Sequence, residues 1–363
     1  MDVAIIGLPQ SGKTTIFNAL TRGTAATSGA SSGAAELHIG VVKVPDPRLY
    51  TLAEIYHPRK IVHAEIKYWD IPGSAHEDKF QGITGRHRNV LQAAEAFLLV
   101  VRAFTNPSVP PPDGGVDPGR DLETMLGELT FADLEVMERA VERLADGVKK
   151  SKPAERPSVV RHLEAVQKVR AGLEAGVPLR RQLVTESDMT FLVNYQLLTG
   201  KPVIVAFNTD ESAPELSLNG LGRDPDLTRD LGEVSLSARL EAELALMPDE
   251  EAAEFRRDLG LGESALSQVI AASYKTLGLV SFLTVGEDEV RAWSVPQGIP
   301  AQEAAGTIHS DFHRGFIRAE VIPYADLTRC GSLAQGRKEG VLRSEGKTYP
   351  VKDGDVIHFL INV

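Results

Sequence analysis

The 363-residue chain reads as an α/β protein: a parallel-sheet domain, an inserted α-helical hairpin, and a small, separate, sheet-rich domain at the C-terminus. Three observations predict this. Residues 1–120 alternate short apolar runs (VAIIGL, EIKYWDI, AFLLVVRAF) with helical segments and Gly-rich turns, the pattern that favours a parallel sheet. Residues 121–197 lose the strands and carry apolar side chains at three- and four-residue steps. Beyond about residue 280, short strands return with DGD turn chemistry.

The first strand leads into GLPQSGKT, which fits Gly-x-x-x-x-Gly-Lys-Ser/Thr from Gly7 to Thr14, and the helical segment KTTIFNALT follows. A strand before and a helix after are the context this phosphate-binding loop requires. Gly7 and Gly12 free the backbone to wrap a phosphate, with Pro9, Gln10 and Ser11 forming the turn between them. The helix start at Lys13, Thr14 and Thr15 adds a partial positive charge. Lys13 is expected to reach the β and γ phosphates, and the Thr14 hydroxyl to bind Mg²⁺.

A second metal-binding oxygen is expected at the end of a neighbouring strand. EIKYWDIPG supplies Asp70, with Gly73 placed to turn toward a γ-phosphate. Together these residues predict a Mg²⁺–nucleoside triphosphate site and phosphoryl transfer. A glutamine that orients the attacking water would follow Gly73, but Ser74 stands there and the next glutamine is Gln81. The stretch 27–39 offers Thr27, Ser28, Ser31 and Ser32 with no clear register for a γ-phosphate sensor. Slow turnover is therefore expected.

The helical segment 121–197 places Leu122, Leu126, Leu129, Leu134, Met137, Val141, Leu144 and Val148 on one face. After a proline-broken stretch, Val159, Leu163, Val166, Val169 and Leu173 form a second such face, giving a hairpin. The strands then resume at KPVIVAFN, which would complete the sheet domain as 1–120 plus 198–280, and LGEVSLSA follows before helical residues around 240–276.

Asn208 follows a buried strand, where base-reading loops sit in this topology, and the box reads NTDE rather than the Asn-Lys-x-Asp that recognises guanine. Guanine presents two adjacent donors, which a short Asp accepts in parallel. Glu211 carries one more methylene, which moves its oxygens by roughly 1.5 Å, about one C–C bond. The guanine fork is spoiled, while Asn208 can still pair with N6 and N7 of adenine. Imperfect pairing of a buried polar group costs about 1–3 kcal/mol, so GTP preference is lowered without being abolished.

At 42% hydrophobic residues the chain has material for a sizeable core, and no apolar run approaches the roughly 18 residues that span a bilayer. The first residues, MDVAIIGLP, lack a basic segment and enter a strand directly, so no signal peptide is expected. Cys330 is the only cysteine and has no partner for an internal disulfide, in keeping with a reducing cytoplasm. A net charge of −11 gives no bulk support to DNA or RNA binding, although a local basic surface stays open. A cytoplasmic monomer without membrane or DNA contacts is the expectation.

The segments GLPQSGKTTIFNALT, GVVKVPDPRL, FNTDE, SARLEAEL and EVRAWSVPQGIPAQEAAGTIHSDFHRGFIRAEVI resemble the YchF/Obg-like ATPases, translation-factor P-loop NTPases. The ending EGKTYPVKDGDVIHFLINV is similar to their C-terminal TGS domain, a β-grasp-like fold, here 281–363. The resemblance spans nearly the whole chain in the family's order. It implies ATP in preference to GTP, slow hydrolysis, and association with the ribosome, its RNA or its proteins. It also implies that Ser237, Ala238 and Arg239 form the last base-side loop. The chain departs from the family pattern at DIPGS, where the family reads Asp-Ile-Ala-Gly-Leu, and near Ala34, where the switch threonine aligns. The loop TNPSVPPPDGG lacks the family's histidine; His76 and His87 are nearby. Other features are a His309–Asp311–His313 cluster, a basic stretch KKSKPAER at the hairpin tip, and Arg180 with Arg181.

Overall fold

The computed structural model describes residues 1–23, 26–28, 37–71, 83, 85–108 and 114–362. Gly73, Ser74, His76, Gln81, Ser31, Ser32 and Ala34 lie outside them. In chain order the strands of the first 240 residues are β1 (Asp2–Ile6), β2 (Ala26–Ser28), β3 (Leu37–Lys43), β4 (Lys60–Val62), β5 (Glu65–Asp70), β6 (Ala96–Ala103), β7 (Val203–Thr209) and β8 (Gly232–Leu236). They are followed by β9 (Leu279–Val285), β10 (Glu289–Pro296), β11 (Phe316–Pro323), β12 (Arg343–Glu345) and β13 (Asp355–Ile361). The helices up to residue 174 are α1 (Lys13–Thr21), α2 (Arg48–Tyr56), α3 (Gly85–Ala93), α4 (Pro118–Lys150) and α5 (Arg156–Glu174). The chain forms two compact units, one of Asp2–Gly40 and Tyr68–Leu266, the other of Met1, Val41–Lys67 and Ser267–Val363.

The first unit holds a seven-stranded sheet in the order β2-β3-β5-β1-β6-β7-β8. β1 pairs parallel to β6, β6 to β7, and β7 to β8. Strands covered on both faces read as continuous apolar runs, and β6 and β7 are buried along nearly their whole length. The strand order reverses at β1: later strands add on its β6 side, whereas β3 and β5 lie on the other. A crevice at the C-terminal ends of the strands forms at such a reversal, which puts the loop after β1 beside the ends of β5 and β6.

Helix α4 serves two cores. Asp117 caps it by accepting the Arg120 N–H at 3.0 Å, with Pro118 at the first turn, where a missing N–H costs nothing. Its first half packs Leu122, Met125, Leu126 and Leu129 against Phe97, Leu99, Val205 and Phe207 of the sheet. Its second half joins Met137 and Ala140 to Val166, Val169 and Leu173 of α5. The changeover is at Asp133, 2% exposed, whose carboxylate accepts the N–H groups of Leu198 (2.8 Å) and Thr199 (2.7 Å) and the Thr199 hydroxyl. Burial pushes this carboxyl above its usual range, against the pull of those three donors. Asp133→Ala strands two buried backbone donors and is expected to cost about 3 kcal/mol of unfolding free energy, measurable by urea denaturation.

The second unit holds a six-stranded mixed sheet, β12-β11-β13-β9-β10-β4. Residues 41–67 belong to it although they lie in sequence between strands of the other sheet. Two interactions draw them there: β4 pairs parallel with β10, and Arg48 binds both Asp46 (Nε–Oδ1 2.9 Å) and Asp353 (Nη1–Oδ2 2.8 Å). Asp353 is itself anchored by the Ser281 N–H at 2.9 Å. The VPDPR stretch thus acts as a clasp on the C-terminal sheet. Among the described residues no helix is long and apolar enough to cross a membrane.

Candidate nucleotide site

The loop after β1 adopts the backbone its glycines permit. Gly7 has φ 152°, Gly12 has φ 94°, and Gln10 takes φ 61° between them. Neither glycine tolerates a side chain. A Cβ on Gly7 would stand 2.4 Å from the Val100 carbonyl oxygen, and one on Gly12 would stand 2.2 Å from Asn208 Nδ2. Gly12→Ala is therefore expected to displace the Asn208 amide and to cost about 1–3 kcal/mol in strain, read as a lowered melting temperature together with weakened nucleotide binding.

Lys13 folds over this loop, and its Nζ donates to the carbonyls of Gly7 (3.0 Å) and Leu8 (2.9 Å). Burial lowers its ammonium to about 8, partly offset by the charge of Asp70. A desolvated cation held by two neutral carbonyls is poised for a stronger anionic partner.

Thr14 Oγ1 donates to Asp70 Oδ2 at 3.0 Å, so the two expected Mg²⁺ groups meet. Asp70 is fully buried and its Oδ1 has no partner among the described residues. A buried anionic oxygen without a donor is costly, and an oxygen-seeking divalent cation is the group that satisfies it. The donor set fits Mg²⁺. Beside it, His38 Nδ1 on β3 lies 3.5 Å from Asp70 Oδ2.

On the base side, Asn208 is 5% exposed and its amide is committed to the protein at both ends. Nδ2 donates to the Ser11 carbonyl and Oδ1 accepts the Ala238 N–H, each at 3.0 Å. Sequence reasoning gave this side chain wholly to adenine. In the structure it is first a clamp between the phosphate loop and the 237–239 loop, with one amide hydrogen left for a ligand. Ser237 caps the helix Ala238–Ala245 through the Leu240 N–H. Glu211 is half-exposed, 3.9 Å from the exposed Arg239, which also pairs with Glu243 at 3.3 Å.

Two residues escaped the sequence reading. Asp210, inside the NTDE box, accepts the Thr105 N–H (3.1 Å) and hydroxyl (3.2 Å), tying the loop after β6 to the base-side loop. Arg102, 2% exposed at the end of β6, lies with its guanidinium 4.5 Å from the Phe104 ring. A charge inside the apolar run AFLLVVRAF was the available signal.

The structure thus brings Gly7 to Thr15, Asp70, Asn208, Ser237 and Ala238 together, with Glu211 and Arg239 more exposed beside them; Gly73 lies outside the described residues. His87 sits half-buried in α3. Arg180 and Arg181 are not a free basic surface, because both pair with Asp230. His309 and His313 are both engaged within the protein. His309 Nδ1 caps the Asp311 N–H at 3.2 Å, His313 pairs with Glu303 at 3.2 Å, and no group of three potential ligands occurs among the described residues.

Comparison with known proteins accords with this geometry. A family model described as a 50S ribosome-binding GTPase matches residues 2–132, and the YchF-GTPase C-terminal model, a family of unknown function, matches 279–362. The chain is 37% identical to the ribosome-binding ATPase YchF of Bacillus subtilis over 100% of both chains. It is 34% identical to Obg-like ATPase 1 of Oryza sativa, covering 100% of this chain and 92% of that one. The solved Schizosaccharomyces pombe YchF GTPase superposes with a TM-score of 0.83 at 28% identity, over 99% of this chain and 97% of that one. With these likenesses running the full length of the chain and the phosphate loop intact, the chain belongs to the YchF family of P-loop nucleotide hydrolases.

Proposed function

We propose that this chain is a Mg²⁺-dependent ATPase whose nucleotide state governs association with the ribosome. The observation that carries the choice of base is Glu211 in the place of a guanine-reading aspartate, next to an Asn208 whose amide is largely spent on the loops. Relatives named ribosome-binding ATPases and an Obg-like ATPase support the substrate and the partner. Lys13 and the loop amides hold the phosphates, and Thr14 and Asp70 hold Mg²⁺, which when bound neutralises phosphate charge. Gly73 offers its backbone to the γ-phosphate. The Ser74 hydroxyl is too short to hold water in line, so turnover is slow and awaits a partner or a positioned backbone group. The C-terminal sheet is read as TGS-like, and the chain as a cytoplasmic monomer.

Calorimetric titration with ATP and GTP tests the base. ATP is expected to bind more tightly, and Glu211→Asp to shift the ratio toward GTP by about 5- to 150-fold, the equivalent of roughly 1–3 kcal/mol. Tighter GTP binding by the unmodified protein makes it a GTPase with the same sites. Phosphate release no greater than that of Lys13→Ala makes it a nucleotide-gated scaffold. Co-sedimentation with ribosomes, with and without nucleotide, tests the partner.

A further inference from the structure

We propose that His38 is a positioning residue for the Mg²⁺-binding carboxylate, a second support beside Thr14 that fixes Asp70 Oδ2 and so leaves Oδ1 for the metal. The inference rests on the Mg²⁺ site proposed above. Asp70 Oδ2 has two neighbours of donor type, the Thr14 hydroxyl at 3.0 Å and His38 Nδ1 at 3.5 Å. A hydroxyl has one hydrogen and two lone pairs, so Thr14 can keep donating to Asp70 while a lone pair of its oxygen meets the cation. Both neighbours bear on Oδ2, which leaves Oδ1, the oxygen without a partner among the described residues, for the metal.

The imidazole is built into position. Its ring stacks on Phe17 of α1, with centroids 6.3 Å apart and planes 28° from parallel, and Phe17 is 1% exposed. Two residues along β3, on the same face of the strand, Gly40 has no room for a side chain. A Cβ there would stand 2.1 Å from Thr21 Cγ2 and 3.2 Å from Phe17. The close approach of β3 to α1 that sets the His38 ring therefore depends on Gly40. Groups that hold a metal's ligands from behind commonly change metal affinity by about 10- to 100-fold when removed. With the Nδ1–H tautomer, His38 plays that part. A helix residue, a strand residue and a strand-end carboxylate, 56 positions apart at the extremes, make one unit.

The test separates metal from nucleotide. Binding of a fluorescent ATP analogue is measured in EDTA and then against rising Mg²⁺, for His38→Phe, His38→Gln and Asp70→Ala. His38→Phe keeps the stack and removes the donor. It is expected to raise the half-saturating Mg²⁺ about tenfold while leaving affinity in EDTA unchanged. His38→Gln, which keeps a donor, should recover most of that loss. An unchanged Mg²⁺ requirement in His38→Phe, or equal loss in both His38 variants, overturns the proposal. If Asp70→Ala also leaves the requirement unchanged, the metal site itself is wrong. Should the ring exchange impair folding, the wild-type protein decides: the His38 ring nitrogen resonances should shift when Mg²⁺ joins the ATP-analogue complex, and a static resonance sinks the idea.

Discussion

Lys13→Ala is expected to abolish measurable hydrolysis and to weaken ATP binding by about 3–5 kcal/mol, a factor of about 150 to 5,000. The empty protein should keep its melting temperature, because the buried ammonium, lowered to about 8, is itself an electrostatic cost of the unliganded loop. The same lowering predicts a pH signature. Phosphates raise the ammonium again on binding, so above pH 8 the neutral lysine must take up a proton as ATP enters. Affinity should then fall by up to about tenfold per pH unit above 8 and be flat with respect to this group below it. Calorimetry at pH 9 in buffers of different ionisation enthalpy reads the proton uptake directly. Uptake should be absent at pH 7 and absent in Lys13→Ala at both pH values.

Asn208→Ala is expected to cost the empty protein about 2–6 kcal/mol, since it leaves the Ser11 carbonyl and the Ala238 N–H unpaired, at about 1–3 kcal/mol each. Nucleotide binding should weaken in parallel, because the phosphate loop and the base-side loop lose their common tie. Asn208→Asp should fare no better: its second oxygen would face the Ser11 carbonyl where an N–H is required. A residue that only reads a base could be removed without changing the melting temperature of the unliganded protein. An unchanged melting temperature in Asn208→Ala would therefore contradict the clamp.

The phosphate loop was legible because its chemistry is local. Gly7, Gly12, Lys13 and Thr14 are close in sequence, and the strand and helix that frame them have their own periodicities. Asp70 was legible for a related reason, as a carboxylate at the end of an apolar strand. The double service of α4 was hidden, because an apolar stripe states that a face is buried and not what covers it. Asp133 carries no periodic signal for its role, yet it caps the segment 198–199 from 65 positions away. Arg180 and Arg181 read as surface charge until Asp230, far along the chain, took up both.

By itself, the order of residues determined the α/β class, the phosphate loop and the NTDE box, since each is written in neighbouring positions or in one repeating pattern. Tertiary structure alone decided that Asn208 ties two loops, that His38 stands beside Asp70, and that residues 41–67 join the C-terminal sheet. Those facts depend on which surfaces meet after the chain collapses, and hydrogen bonds or strand pairs between distant segments leave no periodic trace in either partner.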